Sequence, residues 1–416
     1  MTKTAALLSA LVLLSAGPAV AQSLPEALPN LGPDLGETLG DLGLSLSALA
    51  GRSDWMAGGG VEQRSTNGTK GEGNLHITAQ RAYTEGMVDD WRLTLMVVQA
   101  EVNSGFAAGA IGRRPAGAEQ STPQAEADVV FPSLTLRQEN DDRTTLLRLT
   151  STPVGGPVSA RPAGRVETTL YGSSVIVGGR LFAEPVVSSM LSYTGMRDPV
   201  SGRSWGRVMD MGGGAQAIWL PWDGVGIGLS GEAAALQGQD VKDNTRFSTR
   251  LDLSYDLKPD GFDQLRVGPF VSYATFAKNL SHYSWGHGGY YSPSQDLREG
   301  IGIDALTTEG ERWQVEAKAS LALTQAEEEA APRYWENGGT SGGLYQGSST
   351  DGLSTQVSLR ASTLLGDHLI LSGFSRYQSA PQYNDIAVGA FLTIPFSARS
   401  GVFSADLPDS VFAPFR

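Results

Sequence analysis

The chain has 416 residues, room for one large domain or two ordinary ones, with 52 glycines, 18 % charged side chains, a formal net charge of −13 and no cysteine. The acidic balance argues against nucleic acid as a partner, since phosphate binding needs a basic face. The lack of cysteine excludes a disulfide framework, thiolate metal sites, a thiol nucleophile and a lipoprotein anchor.

Residues 1–21 read as a secretory signal: Lys3, an apolar run Ala5–Ser15, then the small-x-small site Ala19-Val20-Ala21. That run is too short for a bilayer-spanning helix, which needs roughly 20 residues, and no later apolar run reaches that length. Residues 22–52 carry a leucine every three or four positions (Leu24, Leu28, Leu31, Leu35, Leu39, Leu42, Leu46, Leu49), a helical stripe interrupted by Pro25, Pro29, Pro33 and several glycines. They are expected to form a periplasmic segment with at most a short helix.

From residue 53 to 396 the period is two. In Trp313–Thr324 the apolar set Trp313, Val315, Ala317, Ala319, Leu321, Leu323 alternates with Gln314, Glu316, Lys318, Ser320, Thr324. Arg246–Tyr255 and Gln356–Thr363 repeat the pattern. Successive side chains of a strand point to opposite faces, so each segment has one apolar and one charged face. A secreted β-sandwich would alternate in the same way, so strand length and loop asymmetry must decide.

Sixteen segments fit: 53–64, 73–84, 90–103, 128–138, 143–152, 163–171, 174–184, 205–220, 224–236, 245–256, 264–277, 296–306, 311–324, 352–364, 367–378 and 386–396. Most exceed the soluble mode of about five or six residues and match the roughly nine to eleven of a tilted membrane-spanning strand. Connections after even segments are short. Those after the third, seventh, eleventh and thirteenth (Ser104–Ala127, Pro185–Ser204, Lys278–Gln295, Gln325–Asp351) are long. The expectation is a transmembrane antiparallel β-barrel with short periplasmic turns and long extracellular loops, in a Gram-negative outer membrane and with lipid around it. Residues 397–416, with Phe403, Phe412 and Phe415, form a C-terminal tail expected to be ordered by the barrel and tucked into its lumen.

One long loop stands out. Asn279–Gln295 holds two of the four histidines, His282 and His287, with Tyr283, Trp285, Tyr290 and Tyr291, and Gly288-Gly289 and Pro293 break any regular element. Rigid aromatic faces and imidazole donors suit sugar contact at a pore mouth. Val186–Ser204, with Tyr193, Arg197 and Asp198, and the acidic Glu327–Asn337 would be partner loops of the same gate. The polar faces would line an aqueous lumen, since about sixteen strands leave a channel. There Arg246, Arg250, Lys318 and Arg360 mix with Asp252 and Glu316, so no single sign dominates, as a neutral polymer requires.

Three runs resemble the C-terminal outer-membrane domain of the bacterial cellulose synthase operon protein C family. They are LSYTGMRDPVSGRSWGRV (Leu191–Val208), DVKDN (Asp240–Asn244) and HYSWGHGGYYSP (His282–Pro293), within a likeness from about Val129 to Phe396. The resemblance implies a 16-stranded barrel through which nascent cellulose or a related β-glucan crosses the outer membrane. Family members carry tetratricopeptide repeats before the barrel; here about 30 residues precede the first strand, too few for one 34-residue repeat. A separate periplasmic scaffold and an inner-membrane synthase are therefore the implied partners of a monomeric barrel.

Enzymatic chemistry is not expected. Ser281 and Ser292 lie near histidines in sequence only, Glu327-Glu328-Glu329 could bind Ca²⁺ but such a run of like charges is more often a solvated loop, and Gly212-Gly213-Gly214 lacks the GK[ST] of a phosphate loop. No cofactor or metal is expected. The remaining readings are a general porin for small solutes and a secreted carbohydrate-binding sandwich.

Overall fold

The computed structural model describes residues 55–68, 74–104, 126–140, 142–198, 202–336, 339–381 and 383–412. The expected signal at 1–21 and the leucine-rich segment at 22–52 lie outside the described residues. The strands are β1 (Trp55–Gly68), β2 (Leu75–Val88), β3 (Trp91–Asn103), β4 (Glu126–Asn140), β5 (Arg143–Ser151), β6 (Pro162–Tyr171), β7 (Val175–Pro185), a short β8 (Met196–Arg197), β9 (Ser204–Trp222), β10 (Val225–Gln239), β11 (Asn244–Asp256), β12 (Phe262–Phe276), β13 (Gln295–Thr307), β14 (Trp313–Glu328), β15 (Ala331–Glu336), β16 (Gly339–Tyr345), β17 (Ser348–Leu365), β18 (Leu369–Ala380) and β19 (Tyr383–Pro395). One helical turn, α1 (Met190–Tyr193), interrupts the β7–β9 connection.

Each long strand pairs antiparallel with its neighbours in sequence, and β1 pairs with both β2 and β19, from Met56↔Pro395 to Gly68↔Tyr383. The result is a closed 16-stranded antiparallel barrel of the outer-membrane type. Closure matters because an unpaired sheet edge has no partner in hydrocarbon, where each orphaned backbone group costs several kcal/mol. All sixteen segments expected from the alternation are strands, although β17 starts at Ser348 and β19 at Tyr383, a few residues earlier than expected. The early residues of β17, Ser348-Ser349-Thr350-Asp351, pair with β14 in the ordinary way (Ser349↔Glu327) but carry no apolar face to announce a strand. The expected loop at 325–351 also contains a hairpin of its own, β15–β16.

The outward face is apolar through the middle of the wall. Phe247, Leu251 and Leu253 of β11 stand beside Leu229 and Ile227 of β10, and Ile301 pairs with Leu321. At the end bearing the tight turns, Trp55, Trp219, Trp222, Tyr255, Trp313 and Phe396 are all exposed on the outside. In water so large an apolar belt would be a gross liability. Around a barrel, an apolar band with aromatic rings at its margin is the lipid-facing surface of a membrane-spanning wall.

The apolar face changes sides within single strands. In the turn-side half of β3 the outward residues are Leu93, Leu95 and Val97; in the other half they are Gln99 and Glu101, while Val98, Ala100 and Val102 point in and are buried. β4 does the same, with Ala127, Val129 and Phe131 inward above Leu134 and Leu136 outward. The upper wall therefore stands in water outside and encloses a packed core. That core joins Leu75, Ile77, Val98, Val102, Val129 and Phe131 to Val187, Met190 and Tyr193 of the folded-in β7–β9 connection and to Phe412.

This two-zone wall predicts position-dependent costs. Leu321→Arg, facing lipid in mid-β14, should cost about 2–4 kcal/mol of folding free energy. Leu344→Arg, exposed on the hairpin strand β16, should stay within about 0.5 kcal/mol. Urea titration of barrel refolded in liposomes compares the two; equal costs would mean that the apolar belt does not meet lipid.

Candidate functional site

The lumen wall carries the charges read from the alternation, and they are paired with one another. Arg246 reaches Asp210 at 2.6 Å and also Glu232, which takes Arg180 from β7 as well. Arg250 holds Asp252 through both Nε and Nη2 at 2.8–3.0 Å, with its guanidinium 3.9 Å from the Phe270 ring centre. Glu316 accepts from Lys318 at 3.2 Å and from Arg360, whose other arm meets Asp409 of the C-terminal segment. Arg298 with Asp296, and Arg64 and Arg376 with Asp385, extend the pattern around the bore. All six lumen residues singled out from the sequence (Arg246, Arg250, Asp252, Glu316, Lys318, Arg360) thus lie inside in mutually neutralising pairs. Guanidinium groups suit this wall because their planar fork can serve two carboxylates at once.

Two adjoining clefts open on the wall from β10 to β17 and share Arg250. The first is lined by Arg250, Asp252, Arg266, Asp304, Lys318 and Gln356 among others. The second adds Ser230, Ser248, Ser272 and Asp296 toward the loop end. Rows of hydroxyls and fixed, self-neutralised charges offer hydrogen-bond donors and acceptors without a net field. That chemistry suits a neutral polyhydroxylated chain, whereas an anionic polymer needs a basic lining.

The residues expected at the pore mouth are brought together, but inward. The β12–β13 loop folds over the lumen, and His282, Tyr283, His287, Tyr290 and Tyr291 are all buried, with Trp285 half-buried. Tyr283 and Tyr290 join Leu191, Trp205, Leu236 and Phe276 in one cluster. Asn244 donates to the Tyr290 hydroxyl at 3.2 Å, and the Tyr291 hydroxyl donates to Asp296 at 3.3 Å. The glycine pair explains the motif: Gly289 has φ +66°, and a Cβ there would lie 2.6 Å from the Tyr283 ring, while one on Gly288 would strike the ring of Tyr290. Trp285 packs 5.6 Å from Trp205 and lies 4.3 Å under the Arg203 guanidinium. Buried rings offer no free face, so stacking on an emerging polymer, as the sequence suggested for these rings, would require the loop to leave. Of the acidic Glu327–Asn337, expected to be a partner loop of the gate, residues 327–336 instead finish β14 and form β15 of the hairpin that lies on this loop, and Asn337 lies outside the described residues. Trp335 of β15 donates its backbone N–H to the Trp285 carbonyl at 3.0 Å.

Sequence reasoning missed Arg207. It lies at φ +47° after Gly206, is fully buried, and donates to the Thr152 hydroxyl at 2.8 Å and to the carbonyls of Pro153, Gly155 and Thr194. It ties the β5–β6 and β7–β9 connections together across the mouth. A lone arginine after a glycine gives no sequence signal of that task. Glu62, Arg64 and Asp385 were also missed, being isolated charges in otherwise ordinary alternation.

With this geometry established, the family comparison is decisive. Residues 74–397 match the family model described as cellulose synthase operon protein C C-terminus. The chain belongs to this family. Cellulose synthase operon protein C of Pseudomonas fluorescens (strain SBW25) is 27 % identical over 366 residues, covering 82 % of this chain and 27 % of its own length. Cellulose synthase 2 operon protein C of Komagataeibacter xylinus is 36 % identical over 123 residues, covering 29 % of this chain and 9 % of its own length. This chain therefore spans only a fraction of the curated cellulose synthase operon proteins it matches. Among solved structures, a bacterial polysaccharide outer membrane secretin aligns over 82 % of this chain and 98 % of its own, with a TM-score of 0.49 and 12 % identity.

The histidine pair gives the mouth a pH dependence. Neutral His287 donates from Nε2 to the Pro332 carbonyl at 2.8 Å, and its ring lies 5.3 Å from that of His282, which stacks on Tyr345 at 3.6 Å. Burial pushes the His287 imidazole down to about 3; His282 acts in the same direction and the Pro332 carbonyl opposes both. An undocked imidazole takes its proton near 6.5, so docking of the hairpin is at full strength above about pH 6.5. It should weaken as pH falls toward about 3, by up to about 1.4 kcal/mol per pH unit. Tryptophan fluorescence against pH should show this, and His287→Gln should flatten the change between those limits.

Proposed function

We propose that this barrel is an outer-membrane conduit through which an exopolysaccharide, cellulose or a related β-glucan, leaves the cell during its synthesis. The observation that carries the reading is the family match over nearly the whole barrel, set on a lumen lined with hydroxyls and self-neutralised charges. The pore is passive and monomeric, with no catalytic residue. Its energy comes from polymerisation at an inner-membrane synthase, and it is reached through a periplasmic scaffold. The turn end faces the periplasm and the folded-in loops face outward, because periplasmic turns of such barrels are the short ones. Residues 1–21 direct export and are cleaved near Ala21.

Planar-bilayer recording of refolded protein tests this. The wild type should rest at low conductance, and Trp285→Ala with Tyr290→Ala should raise it by thinning the cap. In that background β-1,4-glucan oligomers should block the current while α-1,6-glucan oligomers of equal length do not. Arg250→Gln should weaken the block by about tenfold or less, corresponding to about 1.4 kcal/mol or less of lost contact. Current indifferent to both glucans would favour the general small-solute porin. In cells, loss of the gene should abolish extracellular polymer rather than solute uptake.

A further inference from the structure

The segment after β19 does not leave the barrel. It turns into the lumen at the turn end, where the Phe396 amide donates to the Trp55 carbonyl at 2.9 Å, that of Arg399 to Asp367 at 2.9 Å and that of Val402 to Glu311 at 2.8 Å. A buried clip between Arg399 and Asp406, at 2.7 and 2.9 Å, fixes its bend. Leu407 packs on Leu306, and the Asp406 carbonyl accepts from Ser362 at 2.7 Å. Higher up, the Asp409 carboxylate meets Arg360 and its carbonyl accepts from Arg81 at 2.8 Å. Glu62 then accepts from the Ser410 hydroxyl and, at 2.7 Å, from the Val411 amide. The described part of the segment reaches Phe412, fully buried, 6.2 Å from Phe131 and 6.1 Å edge-on from Tyr193.

Tyr193 belongs to α1, which has two buried sides. Met190 and Tyr193 share a cluster with Phe412, and Leu191 shares one with Trp205, Tyr283 and Tyr290 of the mouth. β1 brackets the junction from two successive inward positions: Glu62 holds the tail, and Arg64, anchored on Asp385, donates to the Val187 carbonyl at 3.0 Å just before α1. Four-residue α1 thus lies between Phe412, on a segment that enters from one end, and the loop that closes the other.

We propose that the C-terminal segment is a coupling rod: withdrawing it at the turn end removes Phe412 from beneath α1 and releases the β12–β13 loop from the mouth. An event on the periplasmic side, such as arrival of polymer or of a scaffold that competes for residues 397–412, would then open the far end. Two packed arrangements joined through one small element are what such coupling requires, and the clusters here are contiguous from tail tip to loop. The inference goes beyond the proposed export role, and its test uses no polymer, so either can fail alone.

The test is hydrogen exchange on the full chain refolded in lipid, read at four bonded amides: Tyr193 of α1 and Thr194 that caps it, donating to Ser189 and Met190, and Gly288 and Gly289 of the loop, donating to Leu280. Phe412→Ala should speed exchange at all four by on the order of tenfold or more, with β11 unchanged. Should that variant not give a heat-modifiable barrel, Asp409→Ala with Ser410→Ala loosens the tail without touching α1 and should act in the same direction. Faster exchange at Val411 with α1 and the loop unaltered would overturn the proposal, leaving the tail as passive filling. A response confined to α1 would overturn the end-to-end coupling.

Discussion

Everything in this molecule depends on closing the sheet. The seam between β1 and β19 runs from Met56 to Gly68 without a register shift, and it gives every outward leucine a wall whose backbone is already satisfied. Given closure, the remaining freedom is what each strand shows to its two sides. Alternation then does two jobs: it presents an apolar belt to lipid and confines charge to the bore.

Confined charge has to be neutralised locally, because a bare ion held in a narrow polar lumen has given up much of its water. Arginines placed between two carboxylates solve this economically, as Arg246 does with Asp210 and Glu232, and Glu316 does in reverse with Lys318 and Arg360. The bore is left polar but without a dominant sign, a lining along which a neutral chain can exchange hydroxyl hydrogen bonds. Arg360 also answers Asp409, so the same pairs that line the bore hold the segment that enters it.

Above the apolar belt the wall stops being a membrane barrel and becomes the shell of an ordinary protein core. The swap of apolar face between Val97 and Val98 marks where water replaces lipid outside and packed side chains replace the aqueous bore inside. That upper core lets α1, the β12–β13 loop and the tail tip lock into one plug. It also explains why the aromatic loop is buried: the surrounding wall offers it an apolar seat, and Gly288-Gly289 lets Tyr283 and Tyr290 lie flat against the backbone.

The sequence by itself determined the secretory route as an expectation, the number and approximate span of the barrel strands, and the placement of Arg246, Arg250, Asp252, Glu316, Lys318 and Arg360 on the lumen side. These follow from period-two alternation, a local property that each strand carries alone. It also identified the HGGYY loop and the final aromatics as unusual, and it favoured a tail in the lumen. It did not show that β17 begins in a serine-rich stretch or that the upper halves of β3 and β4 turn their apolar face inward, because alternation looks the same on either side of the swap. Only the tertiary structure decided which carboxylate meets which arginine, that Arg207 straps two connections, and that Phe412 and the loop tyrosines both pack on α1. Those contacts join residues hundreds of positions apart, and no local pattern records a partner that only barrel closure brings near.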